Sequence, residues 1–428
     1  MHGVTANPQS AHNPPRKLLL VSYWYPPAVG AAAERIYSFA KSLPDHGWHT
    51  HVLTAEPAGA CSETRGVTVH QVPDRFAVKG RIFPDYDPTH KPSRLRAYLR
   101  EFVFPDRFVT WQRAAFKLGR DYLRREPCHL ILASFPPASA VLLALNLHRE
   151  SGVRLVLDFR DRWIGPGGYG PRRAGARRAH AQLERTAIAA ASAIVTVSDA
   201  MADAIAHEQA YDRQRIFVIP NGYEPTNPAP TSTDTQSAMV LTFAHVGTVI
   251  PRNRPDLFFE SIAALKGHEC LRDINFNFVG NLSQAYLDAT ALSSIIKTTG
   301  LLPHNQARRE MQNAHVLLLL TGRYVGQWGY NAKVFEYIQT GRPILCLEEE
   351  PGSNDRKLLE AFAPDRAFFA PVGRPEAIAD EIIKLKQYID QHPIAAHELD
   401  DAFRAYSRPA VCAQLAEHLN AILTPGRD

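Results

Sequence analysis

The chain is 428 residues long, 45% hydrophobic and 21% charged, with a formal net charge of +5. That length exceeds one ordinary core, so two domains of roughly 200 residues each are expected, and the composition excludes a disordered or fibrous chain. The positive balance is too mild for a dedicated nucleic-acid protein and fits small acidic ligands or an anionic surface.

Residues 1–15, MHGVTANPQSAHNPP, read as a polar leader without the apolar stretch of a secretory signal. Later apolar runs such as VLLLLTG are far shorter than the roughly 20 residues of a membrane span. Cys61, Cys128, Cys270, Cys346 and Cys412 are scattered and odd in number. Reduced thiols in a cytoplasmic protein fit that usage.

KLLLVSYWYPP reads as a continuous apolar strand, buried on both faces of a parallel sheet. AAAERIYSFAKSLPDHGW then spaces Ile36, Phe39, Ala40 and Leu43 for a helix, and HTHVLT follows as a second strand. CHLILASFPP, SAVLLALNLHRESG, VRLVLDFRDRW, ASAIVTVSDAMADAIAHE and RIFVIPNG continue the alternation, so residues 16–225 are expected to form a doubly wound α/β domain. YEPTNPAPTSTDTQSA breaks the pattern, which places a linker at 226–238. MVLTFAHVGT, DLFFESIAALKG, INFNFVG, HVLLLLTG, NAKVFEYIQTG and RPILCLEE build a second α/β domain over 239–405, and AVCAQLAEHLNAIL in 406–428 is an apolar-periodic helix that could pack on either domain. Two such sheets facing each other leave a cleft at the carboxyl ends of the strands, where open α/β folds bind ligands.

Four turns could carry chemistry there. In PPAVGAAAER, Gly30 lets the backbone approach a ligand and precedes a helix whose free N–H groups suit a phosphate, though it could also merely start the helix. A dinucleotide fingerprint needs three glycines where this turn has one, which argues against an NAD-linked oxidoreductase. DFRDRW places Asp158, Arg160, Asp161 and Arg162 at a strand end; they are either functional or, for Asp158 with Arg160, an ion pair that holds the fold. HVGTVIPRNRPD brings Gly247, Arg252 and Arg254, and guanidinium groups suit phosphate oxygens. In GYNAKVFEYIQTG, Lys333 falls in the first turn of a helix, where a cation is unfavourable unless an anion binds, and Glu336 lies on the same face. Read alone, that pair favours a surface ion pair of no consequence.

With these residues in view, the chain resembles the retaining nucleotide-sugar glycosyltransferases of family 4, which have the GT-B fold of two facing Rossmann-like domains. SYWYPPAVGAAAER, ASFPPAS, LDFRDRW, ASAIVTVSDAM, VIPNGYEP, HVGTVIPRNRP and AKVFEYIQTGRPIL occur in the family's order, and the likeness is greatest to bacterial members of cell-surface polysaccharide pathways. The resemblance implies that Gly30, Gly247, Arg252, Lys333 and Glu336 bind the donor, with Arg160, Asp161, Arg252 and Lys333 serving catalysis. Arg160 and Asp161 match the family's His-Asp pair, so the His is replaced here. Glu336 matches the second glutamate of E-x7-E, which holds the ribose, whereas the first is replaced by Trp328. It also implies retention of anomeric configuration, no cofactor, no metal, and return of residues 406–428 to the first domain.

The acceptor side is expected between the second strand and CHLILASFPP. Residues 75–125 hold 13 Lys or Arg against 5 Asp or Glu, a surplus of 8, interleaved with aromatics that include Trp111. That mixture suits an anionic membrane surface or a lipid-linked acceptor, although an insertion whose aromatics pack on the domain would look the same. Gly30, Arg107, Trp111 and Asp161 are the acceptor-side candidates. The expected partners are a nucleotide-sugar donor and a glycan or lipid-linked acceptor, with peripheral contact at the inner face of the cytoplasmic membrane and no nucleic acid. A non-hydrolysing nucleotide-sugar epimerase and a non-catalytic nucleotide-sugar-binding protein are the alternatives.

Overall fold

A computed structural model describes residues 15–28, 30–55, 64–74, 103–171, 173–225, 240–290, 292–392 and 399–424. The first sheet contains β1 (Arg16–Val21), β2 (Trp48–Thr54), β3 (Val67–Gln71), β4 (Leu130–Phe135), β5 (Arg154–Phe159), β6 (Ala193–Thr196) and β7 (Ile216–Val218). Their order is β3-β2-β1-β4-β5-β6-β7, and every neighbouring pair is parallel. β1 shows why an unbroken apolar run suits such a sheet. Leu18 and Leu20 join the core on one face, Leu19 and Val21 the core on the other. Burying each contributes roughly 1.5–3 kcal/mol.

The second sheet repeats the plan with β8 (Leu241–Val246), β9 (Ile274–Val279), β10 (Ile296–Thr298), β11 (Val316–Thr321), β12 (Ile344–Glu348) and β13 (Ala367–Pro371), ordered β10-β9-β8-β11-β12-β13. In each sheet the order reverses beside the first strand, between β1 and β4 and between β8 and β11. A crevice opens at such a reversal because the connections leave it in opposite directions.

The strand expected from KLLLVSYWYPP stops at Val21. Ser22 still donates its N–H to Leu53, but its hydroxyl bonds the Trp24 carbonyl at 2.8 Å and turns the chain out of the ladder. Trp24 therefore belongs to a loop at the carboxyl end of the sheet.

The chain passes between the sheets at Tyr223 and again at Tyr406–Arg408, and the two crossings are bonded to each other. Tyr223 N–H donates to Tyr406 O at 3.1 Å and Arg408 N–H to Tyr223 O at 2.8 Å, while Tyr223 stacks on Phe403. The helix Arg408–Leu423 then lays Val411, Cys412, Leu415 and Leu419 against Leu18, Leu20 and Phe39 of the first domain. No helix among the described residues is long and apolar enough to cross a membrane.

Candidate functional site

A cleft of about 390 Å³ lies between the two sheets where their strand orders reverse. Gly30, Arg160 and Asp161 line it from the first domain, and Gly247, Lys333 and Glu336 from the second. Asn221 and Gly222 border it where the chain leaves the first domain.

On the second-domain side, Gly247 follows β8 with φ +127, and a Cβ there would sit 2.0 Å from Lys333 Cε. The absent side chain is the space through which Lys333 reaches the cleft. Lys333 stands in the first turn of the helix Ala332–Thr340, where its charge opposes the helix dipole. Burial pushes its pKa down, Glu336 and Asp355 push it back, and no described residue hydrogen-bonds its ammonium. A cation held there without a partner is poised for an anion. Asn331, just ahead, is fixed by Asp355, which accepts from its N–H at 2.9 Å and from Nδ2 at 2.7 Å.

On the first-domain side, Gly30 precedes the helix Ala31–Ser42, and Ala31 and Ala32 present its N-terminus to the cleft. The ion pair at Asp158 is made with Arg35 and not with Arg160: Arg35 Nη2 lies 2.8 Å from Asp158 Oδ1, both side chains fully buried, and Ser134 Oγ donates to Oδ2 at 2.8 Å. Arg160 donates instead to Ser134 Oγ at 2.9 Å and to Pro136 O at 2.7 Å. Asp161 accepts no side-chain hydrogen bond among the described residues; burial raises its pKa against the pull of Arg160 and Arg252.

Glu336 lies in the cleft with its side chain 15% exposed. Burial raises its pKa, and Glu34 of the first domain raises it further, while His304, Arg408 and Arg308 act the other way. His304 stands between the two carboxylates, 3.8 Å from Glu34 and 4.0 Å from Glu336. One ligand atom from each of these three residues falls within 4.8 Å of the others. The sequence shows no metal-ligand spacing, yet the fold gathers three groups capable of it from distant segments. Arg408 already pairs with Glu34 at 2.8 Å.

Several expectations are corrected by placement. Trp111, expected on the acceptor side, is 1% exposed and packs in the first core with Tyr23 at 5.2 Å. The helix Val109–Arg125 carries it inward because Trp111, Ala115 and Gly119 form that helix's buried face. Arg107 stacks over Phe108 and does not line the cleft. Arg252 also stays outside the lining: its guanidinium lies 4.2 Å from the centroid of the Tyr169 ring and donates to Gly168 O at 3.4 Å. Of the basic and aromatic stretch 75–125, residues 75–102 lie outside the described residues.

Trp328 ends the helix Arg323–Trp328 and is used between domains. Its Nε1–H donates to Pro166 O at 3.1 Å, Arg162 lies over its ring at 4.3 Å, and its carbonyl accepts from Ser198 Oγ. Residues missed by sequence reasoning are Trp24, Glu34, Tyr169, His304 and Arg408, all lining the cleft. Trp24 was hidden in an apolar run, and the rest lack a local signal because each matters only beside a residue from the other domain.

Residues 30–222 match the family model described as a glycosyl transferase 4-like domain. Among solved structures, the chain is similar to HepE of Anabaena in complex with UDP and glucose (16% identity, 95% of this chain and 100% of that one, TM-score 0.64). It is also similar to sucrose-phosphate synthase of Thermosynechococcus elongatus (13%, 96% and 95%, 0.60) and to a putative UDP-N-acetylglucosamine 2-epimerase of Listeria monocytogenes (10%, 95% and 96%, 0.54). No curated sequence matches the chain significantly. The fold is GT-B, the fold of these neighbours.

Proposed function

We propose that this chain, with a glycosyl transferase 4-like domain in its first half, is a retaining glycosyltransferase that moves a sugar from a nucleoside-diphosphate donor to a hydroxyl acceptor in cell-surface polysaccharide assembly. The observation that carries the reading is the ammonium of Lys333 beside Gly247 in the cleft, without a hydrogen bond among the described residues, at one helix N-terminus while a second, at Gly30, lines the same cleft.

In this reading the diphosphate lies against Lys333 and the two helix N-termini, whose N–H groups and partial positive charge hold anions. Glu336 accepts hydrogen bonds from the ribose hydroxyls. In the transfer, the acceptor oxygen bonds to the sugar's anomeric carbon as the bond from that carbon to the phosphate oxygen breaks. The electron pair departs with the nucleoside diphosphate, and the hydroxyl proton passes to the departing phosphate oxygen. Positive charge placed where negative charge develops stabilises that transition state more than the bound donor. Arg160 and Asp161 face the sugar, and Arg252 acts through the domain contact at Tyr169.

The test is binding of UDP, GDP and dTDP and their sugars, screened by thermal shift and quantified by calorimetry. One nucleotide should bind with its affinity reduced about tenfold or more in Lys333→Ala and in Glu336→Ala, since hydrogen bonds to charged groups contribute roughly 1.5–3 kcal/mol. Unchanged binding in both variants overturns the reading. An epimerase would interconvert a lone UDP-sugar, whereas a transferase requires an acceptor.

A further inference from the structure

We propose a second ligand site, apart from the cleft, where a cavity at the edge of the first sheet takes the phosphate group of a small molecule. The cavity measures about 460 Å³ and is bordered by Lys17, His49, His51, His70, Tyr122 and Arg125 among others. It shares no residue with the cleft between the domains.

The alternation of WHTHVLT puts His49 and His51 on one face of β2, and β3 adds His70 to that face because its Thr68 stands level with His51. The helix Val109–Arg125 brings Tyr122 against them, its ring 4.6 Å from that of His51. Two polar atoms of this contact are left over. His51 is only 8% exposed, and among the described residues neither its Nε2 nor the Tyr122 hydroxyl makes a hydrogen bond. Each such buried group left unsatisfied costs about 1–3 kcal/mol. Two of them beside one cavity mark a place for a ligand that answers both.

The charges favour an anion. Lys17 and Arg125 border the cavity with one carboxylate, Glu126, which is already paired with Lys17. Burial lowers the pKa of His51, and His49, His70 and Lys17 lower it further against Glu126 alone. The potential that resists a proton there attracts an oxyanion. A metal ion is disfavoured by the same field and by the ring nitrogens, since His49 Nε2 is bonded to Thr68 Oγ1 at 3.0 Å and His51 Nδ1 to His70 Nε2 at 3.1 Å. A phosphate selects the tautomer in which His70 Nε2–H donates to His51 Nδ1, which leaves the proton on His51 Nε2. That N–H, the Tyr122 O–H and the two cationic side chains can then all donate to one tetrahedral group, where a carboxylate has only two oxygens to offer them.

Phosphate would also enter the cleft, so the experiment uses the full chain carrying Lys333→Ala. Inorganic phosphate and glycerol phosphate are titrated by calorimetry and thermal shift against sodium chloride of equal ionic strength, which removes general screening. At least one of the two should bind, and adding either Tyr122→Phe or Arg125→Gln should weaken that binding about tenfold. Tyr122→Phe removes only the hydroxyl, so without phosphate it should melt no lower than its parent, which reports the fold, while the rise in melting temperature caused by phosphate shrinks. Arg125→Gln changes an exposed side chain and gives the same readout should the first variant fail to fold. Binding of neither phosphate compound, binding that both variants leave unaltered, or binding of zinc chloride at the histidines in place of phosphate, each overturns the proposal. It stands or falls independently of nucleotide binding in the cleft.

Discussion

At residue 247 the missing side chain determines where the ammonium of Lys333 can go. Gly247 combines φ +127 with a Cβ position 2.0 Å from Lys333 Cε, so substitution meets both backbone strain and the lysine stem. The strain is worth about 1–3 kcal/mol. The blocked atom lies far along a flexible side chain, so Lys333 swings away and the fold survives. Gly247→Ala should therefore lower the melting temperature by several degrees and cut sugar transfer at least tenfold. Combining it with Lys333→Ala should add little further loss of transfer, because both changes remove the same interaction. Full additivity in calorimetry and transfer rate would show that the glycine acts independently of the lysine.

The helix Arg323–Trp328 is the element that joins the two domains beside the cleft. Tyr324 packs so closely on Gly167 that a Cβ on Gly167 would lie 2.3 Å from its Cβ, and Trp328 is held by Pro166 and Arg162. Arg252 makes a parallel connection to Tyr169. Cation–π contacts of this kind contribute about 0.5–2 kcal/mol each, enough to bias an equilibrium between open and closed clefts. Trp328→Ala should increase the radius of gyration in solution scattering, and Arg252→Ala should lower turnover more than donor affinity. An unchanged scattering profile and unchanged turnover would remove any role for these contacts in closure.

Across the whole molecule, acid sensitivity follows from histidines buried in both sheets. Burial lowers the pKa of His51 to about 4, with His49 and His70 adding to the shift, and burial lowers that of His245 to about 3. The folded state thus binds fewer protons than the unfolded one below the ordinary value of 6.5. The stabilisation of the neutral ring is complete above that pH and is lost as pH falls towards the folded value. For His51 the window runs from 6.5 to about 4, with ~3 kcal/mol as an upper limit. Melting temperatures measured across that window should fall less steeply in His51→Phe than in the wild type; parallel slopes would show that His51 does not couple folding to protons.

Much of the architecture was written in local pattern. Unbroken apolar runs such as VLLLLT give β11, all six residues buried, because a parallel strand covered on both faces needs no polar alternation. The helix beginning after Asn331 and ending at Gly341 was equally legible from its turn residues and spacing. What the sequence by itself determined was therefore the alternation of strands and helices, with Gly30 and Gly247 at turns between them and Lys333 and Glu336 one turn apart on one helix. The tertiary structure alone decided that Trp111 is core while Trp24 faces the cleft, that Asp158 belongs to Arg35, and that Glu34, His304 and Glu336 meet. Local order is set by neighbours along the chain, whereas these meetings join segments up to 302 residues apart between Glu34 and Glu336, and their chemistry exists only once both sheets are packed.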